Sequence, residues 1–156
     1  MRPADRAIIQ KRPVVGIEVL DQDFPISVEA QLLGGGPTGE RSTANVCTPG
    51  TEIYRNGEKV KSHCLSSTSQ TYRGGQWVRV EIEVLGSERV RHKIDGKTVL
   101  EYGDLQVGGG NVIHFDPAVK KDGAPLTDGY IALQAESHPT EFRKVEVLNL
   151  SGCMKP

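Results

Sequence analysis

The sequence predicts an all-β sandwich of two antiparallel sheets. Eighteen glycines and nine prolines cut the 156 residues into short apolar stretches, the punctuation that an all-β domain requires. Several stretches alternate apolar and polar residues with the two-residue period of a half-buried strand. No segment carries a helical stripe over three turns.

Taken in order, Val14–Leu20 reads as a first strand, after thirteen poorly patterned residues. Asp21–Pro25 is a turn. Ile26–Leu33 alternates: Ile26, Val28, Ala30 and Leu32 point to a core, and Ser27, Glu29 and Gln31 point to water. Gly34–Gly39 ends it. Thr43–Cys47 is a short strand. Thr51–Arg55 and Glu58–Lys61 flank Asn56-Gly57, a pair that supplies the positive φ angles of a tight hairpin turn. Ser66–Gln70 is polar and reads as a loop or sheet edge. From Gln76 to Gly103 a three-strand meander is expected. Val78, Val80, Ile82 and Val84 face one way, and Trp77, Arg79, Glu81 and Glu83 the other. Arg89–Ile94 and Thr98–Tyr102 then flank Asp95-Gly96, a second hairpin signature. Leu105–Asp128 is irregular and reads as a rim or a surface excursion. Tyr130–Gln134 and Glu141–Leu150 are the last strands, with 14–150 as the domain and 151–156 as a tail.

Nineteen basic residues against twenty acidic ones give a net charge of -1. Such a balance offers no global attraction to nucleic acid or an anionic membrane. No apolar run approaches the ~18 residues of a membrane span. Met1–Pro13 lacks the apolar stretch of a signal peptide; the chain is either cytoplasmic or starts downstream of a leader. Cys47 and Cys64 bracket a turn-rich segment. A disulfide there would close a loop of about 17 residues, worth about 3 kcal/mol in the loop-entropy account. It is expected in an oxidising compartment, and a pair of small buried thiols in a reducing one. No Cys-x-x-Cys pair exists and the four histidines are dispersed, so no zinc site is expected. No cofactor is implied. The aspartates at 21, 23, 116, 122 and 128 form no EF-hand loop, and calcium is left unassigned.

Three segments, Ser27-Val28-Glu29-Ala30-Gln31, Gly96-Lys97-Thr98-Val99-Leu100 and Gly129-Tyr130-Ile131-Ala132-Leu133-Gln134, occur in that order. The run His138-Pro139-Thr140-Glu141-Phe142-Arg143-Lys144-Val145 follows them. In these motifs, from about Val14 to Leu150, the chain resembles the 3-keto-disaccharide hydrolase family, long classed as a domain of unknown function. The resemblance implies a concanavalin A-like lectin/glucanase jelly roll. It also implies secretion or a periplasmic location, and a role in sugar breakdown. Two departures stand out. The family carries further strands before the position of Val14, so the sandwich is expected to be incomplete, rearranged or completed by another chain. Exposed edges would then favour a homo-oligomer. The family's last loop often holds two histidines; here it reads Ala135-Glu136-Ser137-His138, with Glu136 replacing one of them.

Glu29 and Gln31 lie two apart on a strand, hence on one side and about 6–7 Å apart. The family's Glu-x-Gln falls on them, which implies sugar contact, with Glu29 as a base. The bland reading is a solvated face. Glu136 and His138 lie on the turn before the last strand, where a rigid scaffold gathers functional groups. His138 can shuttle a proton near neutral pH, or simply cap the backbone beside Pro139. Gln134 is a further sugar contact. Glu141 and Arg143 flank Phe142, which reads as a core anchor; they bind sugar or pair with each other. Trp77 covers a ligand or packs beneath a loop.

Two function classes follow. The first is a hydrolase acting on a 3-keto disaccharide or an ordinary glycoside. A C3 ketone acidifies the neighbouring C–H, so a base can start elimination and water can then add. An ordinary glycosidase instead needs two carboxylates about 5–5.5 or 6.5–9.5 Å apart, and Glu29 with Glu136 or Glu141 is the pair in question. The second class is a non-catalytic carbohydrate-binding module, or a truncated domain without a competent site. An aromatic content of 5% argues modestly against a stacking platform.

Overall fold

The computed structural model describes residues 7–10, 22–135 and 140–150. Among them every regular element is a strand, and the strands form two antiparallel sheets, as the sequence predicts. One sheet runs from edge to edge as β10 (Tyr130–Leu133), β1 (Ala7–Gln10), β2 (Ser27–Gln31), β3 (Asn45–Cys47) and β6 (Cys64–Leu65). The other runs β5 (Glu58–Lys59), β4 (Thr51–Arg55), β9 (Lys97–Val107), β8 (Arg89–Ile94) and β7 (Val80–Leu85). The strand predicted at Val14–Leu20 lies outside the described residues. β1 falls inside the N-terminal segment that reads as poorly patterned, yet it pairs with both β2 and β10.

The two sheets meet face to face. Val28 and Val46 from the first pack against Ile53, Val90, Leu100, Tyr102 and Leu105 from the second. A second cluster joins Leu32 and Ala44 to Ile94 and Val99. Alternation in β2 thus does what the pattern requires on its core side. Both hairpin turns also form as read: Asn56-Gly57 and Asp95-Gly96 all take positive φ, the conformation that matches strand twist across a two-residue turn.

The second sheet holds one difference of substance. β9 continues through Gly103 and Asp104 to Val107, where the sequence reads an irregular stretch from Leu105. Asp104 has a φ of 49°, so the strand bends there, and Leu105 and Val107 turn back into the core at 4% and 1% exposure. The bend brings Gly103 against the neighbouring chain. A Cβ on Gly103 would stand 2.0 Å from the carbonyl oxygen of Glu88. Backbone cannot yield as a flexible side chain does, so Gly103→Ala is expected to cost about 3 kcal/mol, the upper end of an overpacking penalty. Urea unfolding of the variant checks this, and an unchanged midpoint would show that β8 and β9 do not pack as closely as described.

His92 is fully buried between the sheets. Its Nδ1 lies 2.8 Å from the Ala44 carbonyl oxygen and its Nε2 2.9 Å from the Tyr102 hydroxyl. A carbonyl only accepts, so Nδ1 carries the proton; Nε2 then accepts from the tyrosine. Burial pushes the imidazole down to about 4 and holds the Tyr102 phenol well above its ordinary range. This polar link ties β3's approach (Ala44) to β8 and β9 inside an otherwise apolar layer.

Two expectations fail. The outer face of β2 is not open to water: Ser27 and Glu29 are each 1% exposed, so the strand is buried on both sides. Residues 141–150 form no strand. Phe142 does anchor in the Leu32–Ile94 cluster, but Val145, Val147 and Leu148 are 60%, 75% and 80% exposed. Their alternation finds no sheet edge to pair with among the described residues.

Candidate functional site

The register of the first sheet builds one polar row after another on its outer face. Val28 and Ala30 point inward, so Ser27, Glu29 and Gln31 point outward. Glu29 stands opposite Cys47 on β3, and Gln31 opposite Asn45. On the other side, Ala30 and Leu133 both pair with Ala7. β10 and β2 run parallel across β1, so the next residues along, Gln31 and Gln134, fall in one row, two strand spacings or roughly 10 Å apart. Continued by one residue beyond Leu133, this register brings Glu29, Gln31 and Gln134 to a single face.

Their states differ. Glu29 is closed to solvent, and its side chain is engaged rather than free. Gln31 and Gln134 are half-buried. Asn45, beside Gln31, is committed to structure: its side-chain amide donates to the Ser42 carbonyl, and its Oδ1 accepts from the Ser67 amide and the Ser42 hydroxyl. Gln134 is not so committed. Its Oε1 is buried and has no hydrogen-bond partner among the described residues. A buried acceptor left unmatched costs free energy, and a hydroxyl-bearing ligand is one group that would satisfy it.

The remaining predicted site residues divide. Trp77 and Arg143 are brought together: the guanidinium carbon lies 4.3 Å from the indole centroid, a cation–π contact. Trp77 is 50% exposed, its indole partly covered by Arg143 from the irregular segment 140–150. Phe142, next to Arg143 in the chain, packs against the cluster of Leu32, the residue after Gln31. The Trp77–Arg143 pair thus sits at the end of the sandwich where β2 and β10 finish. Glu141 is exposed, whereas Glu29 is sealed. Glu136 and His138 lie outside the described residues. Cys47 and Cys64 are joined by a disulfide, with Cα atoms 4.1 Å apart. They pair across β3 and β6, in the same row as Glu29. Sequence spacing gave no sign of that row, because strand order within the sheet is not written in chain order.

Other charged groups are tied up structurally. Glu83 accepts from Lys93 at 2.6 Å and from Arg91 at 3.3 Å, and those bonds, that to Lys93 foremost, hold its carboxyl below the usual range. Glu52, bonded to Lys59 and Gln106, is lowered likewise. Paired, solvated carboxylates of this kind are poor bases. A cavity of about 330 Å³ lies elsewhere, on the second sheet around the β9 bend, lined by Arg55, Glu88, Arg89, Glu101 and Asp104. Its charges are of both signs and none of the motif residues lines it, so it is not the site to which the Glu29 row belongs.

Residues 7–148 match the family described as the 3-keto-alpha-glucoside-1,2-lyase-like domain. The chain belongs to that family. No curated protein and no solved structure matches it. As a 3-keto-alpha-glucoside-1,2-lyase-like domain the chain is tied to carbohydrate chemistry. The match begins at Ala7, the first residue of β1.

Proposed function

We propose that this domain cleaves a 3-keto-glycoside by elimination, with Glu29 as the base. The observation that carries the reading is the single face on which a sealed carboxylate, Glu29, lies beside Gln31 and the unmatched Oε1 of Gln134. A ketone at C3 acidifies the hydrogen on C2. Glu29 takes that proton, and the electron pair moves to form the C1–C2 double bond as the C1–O bond breaks. The leaving oxygen needs a proton, and Glu136 or His138, two and four residues beyond Gln134, is the proposed donor. Addition of water to the unsaturated product would complete a net hydrolysis. Gln31 and Gln134 offer amide donors and acceptors to ring hydroxyls. Removal of bulk water strengthens each of these interactions; a substrate must displace whatever closes over Glu29 to reach it.

The half-exposed Trp77, backed by Arg143, supports a second reading: a carbohydrate-binding module whose indole stacks on a sugar. One experiment separates the two. The protein is incubated with a 3-keto disaccharide and with its unoxidised parent, and both turnover and binding are followed. Consumption of the keto sugar alone supports the lyase. Binding without consumption, lost on Trp77→Ala, supports the module. Neither turnover nor binding overturns both. The Cys47–Cys64 disulfide supports a secreted or periplasmic location, and the position of β10 at the sheet edge among the described residues supports self-association. Nucleic acid and membrane are not proposed as partners.

A further inference from the structure

The geometry points to a redox-gated site for a soft divalent metal ion, zinc above all, built from Cys47, Cys64 and His63. The sequence offers no ligand spacing for such a site. The fold nonetheless gathers the three side chains, with one donor atom from each lying within 4.8 Å of the others. Two sulfurs and one imidazole nitrogen are the donor set that zinc favours, and three protein ligands leave a fourth position for water. His63 and Cys64 are exposed, while Cys47 is buried, so the open position faces solvent.

The disulfide and the metal exclude each other. Zinc binds thiolates, and the sulfurs joined in the Cys47–Cys64 disulfide offer none. A dithiol reductant must act first. It passes two electrons and two protons to the Cys47–Cys64 bond and becomes a disulfide itself. The metal then binds the two sulfurs, and both thiol protons leave to solvent.

The backbone keeps the ligands together without the covalent bond. Val46 pairs with Leu65 and Cys47 with Cys64 in the β3–β6 ladder. Just beyond, the Thr48 amide donates to the His63 carbonyl at 3.0 Å and the Thr48 hydroxyl at 3.2 Å. Reduction therefore frees the sulfurs but leaves Cys47, His63 and Cys64 side by side. β6 is a two-residue strand at the sheet edge among the described residues, and Cys64 is exposed, which leaves its side chain room to rotate.

The test uses the full chain carrying Cys153→Ser, so that only the paired cysteines remain. Half is reduced and freed of reductant without oxygen, and half is left oxidised; both are titrated with Co2+. The expected result is one Co2+ per reduced chain, with thiolate-to-cobalt charge-transfer absorption and the strong visible bands of a tetrahedral ion, and neither in the oxidised chain. Loss of a supporting group around a metal ligand typically weakens binding ~10–100-fold, so loss of a ligand itself, in His63→Ala, is expected to raise the Co2+ midpoint at least ~10-fold. A reduced chain that keeps its β-sheet circular dichroism but shows no charge-transfer band overturns the proposal. So does a reduced chain that is unfolded and stays so when Co2+ is added. An unchanged midpoint in His63→Ala removes His63 from the ligand set and overturns the three-ligand site. The proposal does not depend on the lyase reading, and its test involves no sugar.

Discussion

Lowering the pH from about 7.5 to about 5 is expected to cost the domain about 2 kcal/mol of stability through His92 alone, because each unit of separated pKa is worth about 1.4 kcal/mol. The folded imidazole is pushed down to about 4, against an ordinary value of 6.5. The neutral form is therefore favoured by folding. Its contribution is fully present above 6.5 and is lost as pH falls from there toward 4, where the loss levels off. The carboxylates held below their ordinary range, Glu52 and Glu83, work in the same direction but lose their contribution below the usual carboxylate pKa of 4.5. The interval between pH 7.5 and 5 thus separates the histidine from Glu52 and Glu83. Urea unfolding across that interval checks the expectation. His92→Gln cannot titrate, so its stability should be lower at neutral pH and flat over the same range. A variant that keeps the parent's pH dependence would show that His92 is not the responsible group.

Glu29→Gln is expected to lower turnover of a 3-keto disaccharide by ~10²–10⁴, the usual effect of losing a positioned general base. The amide has nearly the shape of the carboxylate, so the buried site keeps its packing and sugar binding is expected to persist. Turnover should therefore fall with little change in the concentration of sugar that half-saturates the protein. Glu29 is sealed within the sheet face, and its substitution could act through folding instead; thermal unfolding of the variant distinguishes that outcome. A folded variant with undiminished turnover would contradict the assignment of Glu29.

Much of the sandwich was legible because period two is a local property. Val28, Ala30 and Leu32 mark a core face by themselves, and Asn56-Gly57 and Asp95-Gly96 carry their turn geometry in two residues. The Cys47–Cys64 pairing was legible as one of two outcomes. What period two does not reveal is whether the polar side of a strand is covered. Glu29 read as water-facing, yet burial on a sheet's outer face depends on segments far away in the chain. β9 runs on beyond Tyr102, where the pattern ends the strand; it bends at Asp104, and a glycine at 103 lets it press against the Glu88 carbonyl. The strand read at 141–150 illustrates the opposite error, a local alternation without a partner edge. β1 had too short and too mixed a pattern to announce itself.

The candidate site was legible only through its motifs. Glu29 and Gln31 follow from strand alternation, but the arrival of Gln134 in the row of Gln31 depends on β1 lying between β10 and β2. The Trp77–Arg143 contact joins residues 66 positions apart in the sequence, a pairing that only tertiary structure supplies. His92 carried no signal, since a single histidine in an alternating strand looks the same whether it faces water or the opposite sheet.

The most direct test follows a deuterium atom. A 3-keto disaccharide labelled with deuterium at C2 is offered to the wild-type protein and to Glu29→Gln, with a protein-free control for spontaneous exchange. The account expects the label to pass to water as the wild type breaks the glycosidic bond, and the variant to leave both label and bond largely in place. Cleavage by the wild type with the label retained at C2 would contradict removal of that proton by Glu29, and with it the elimination mechanism.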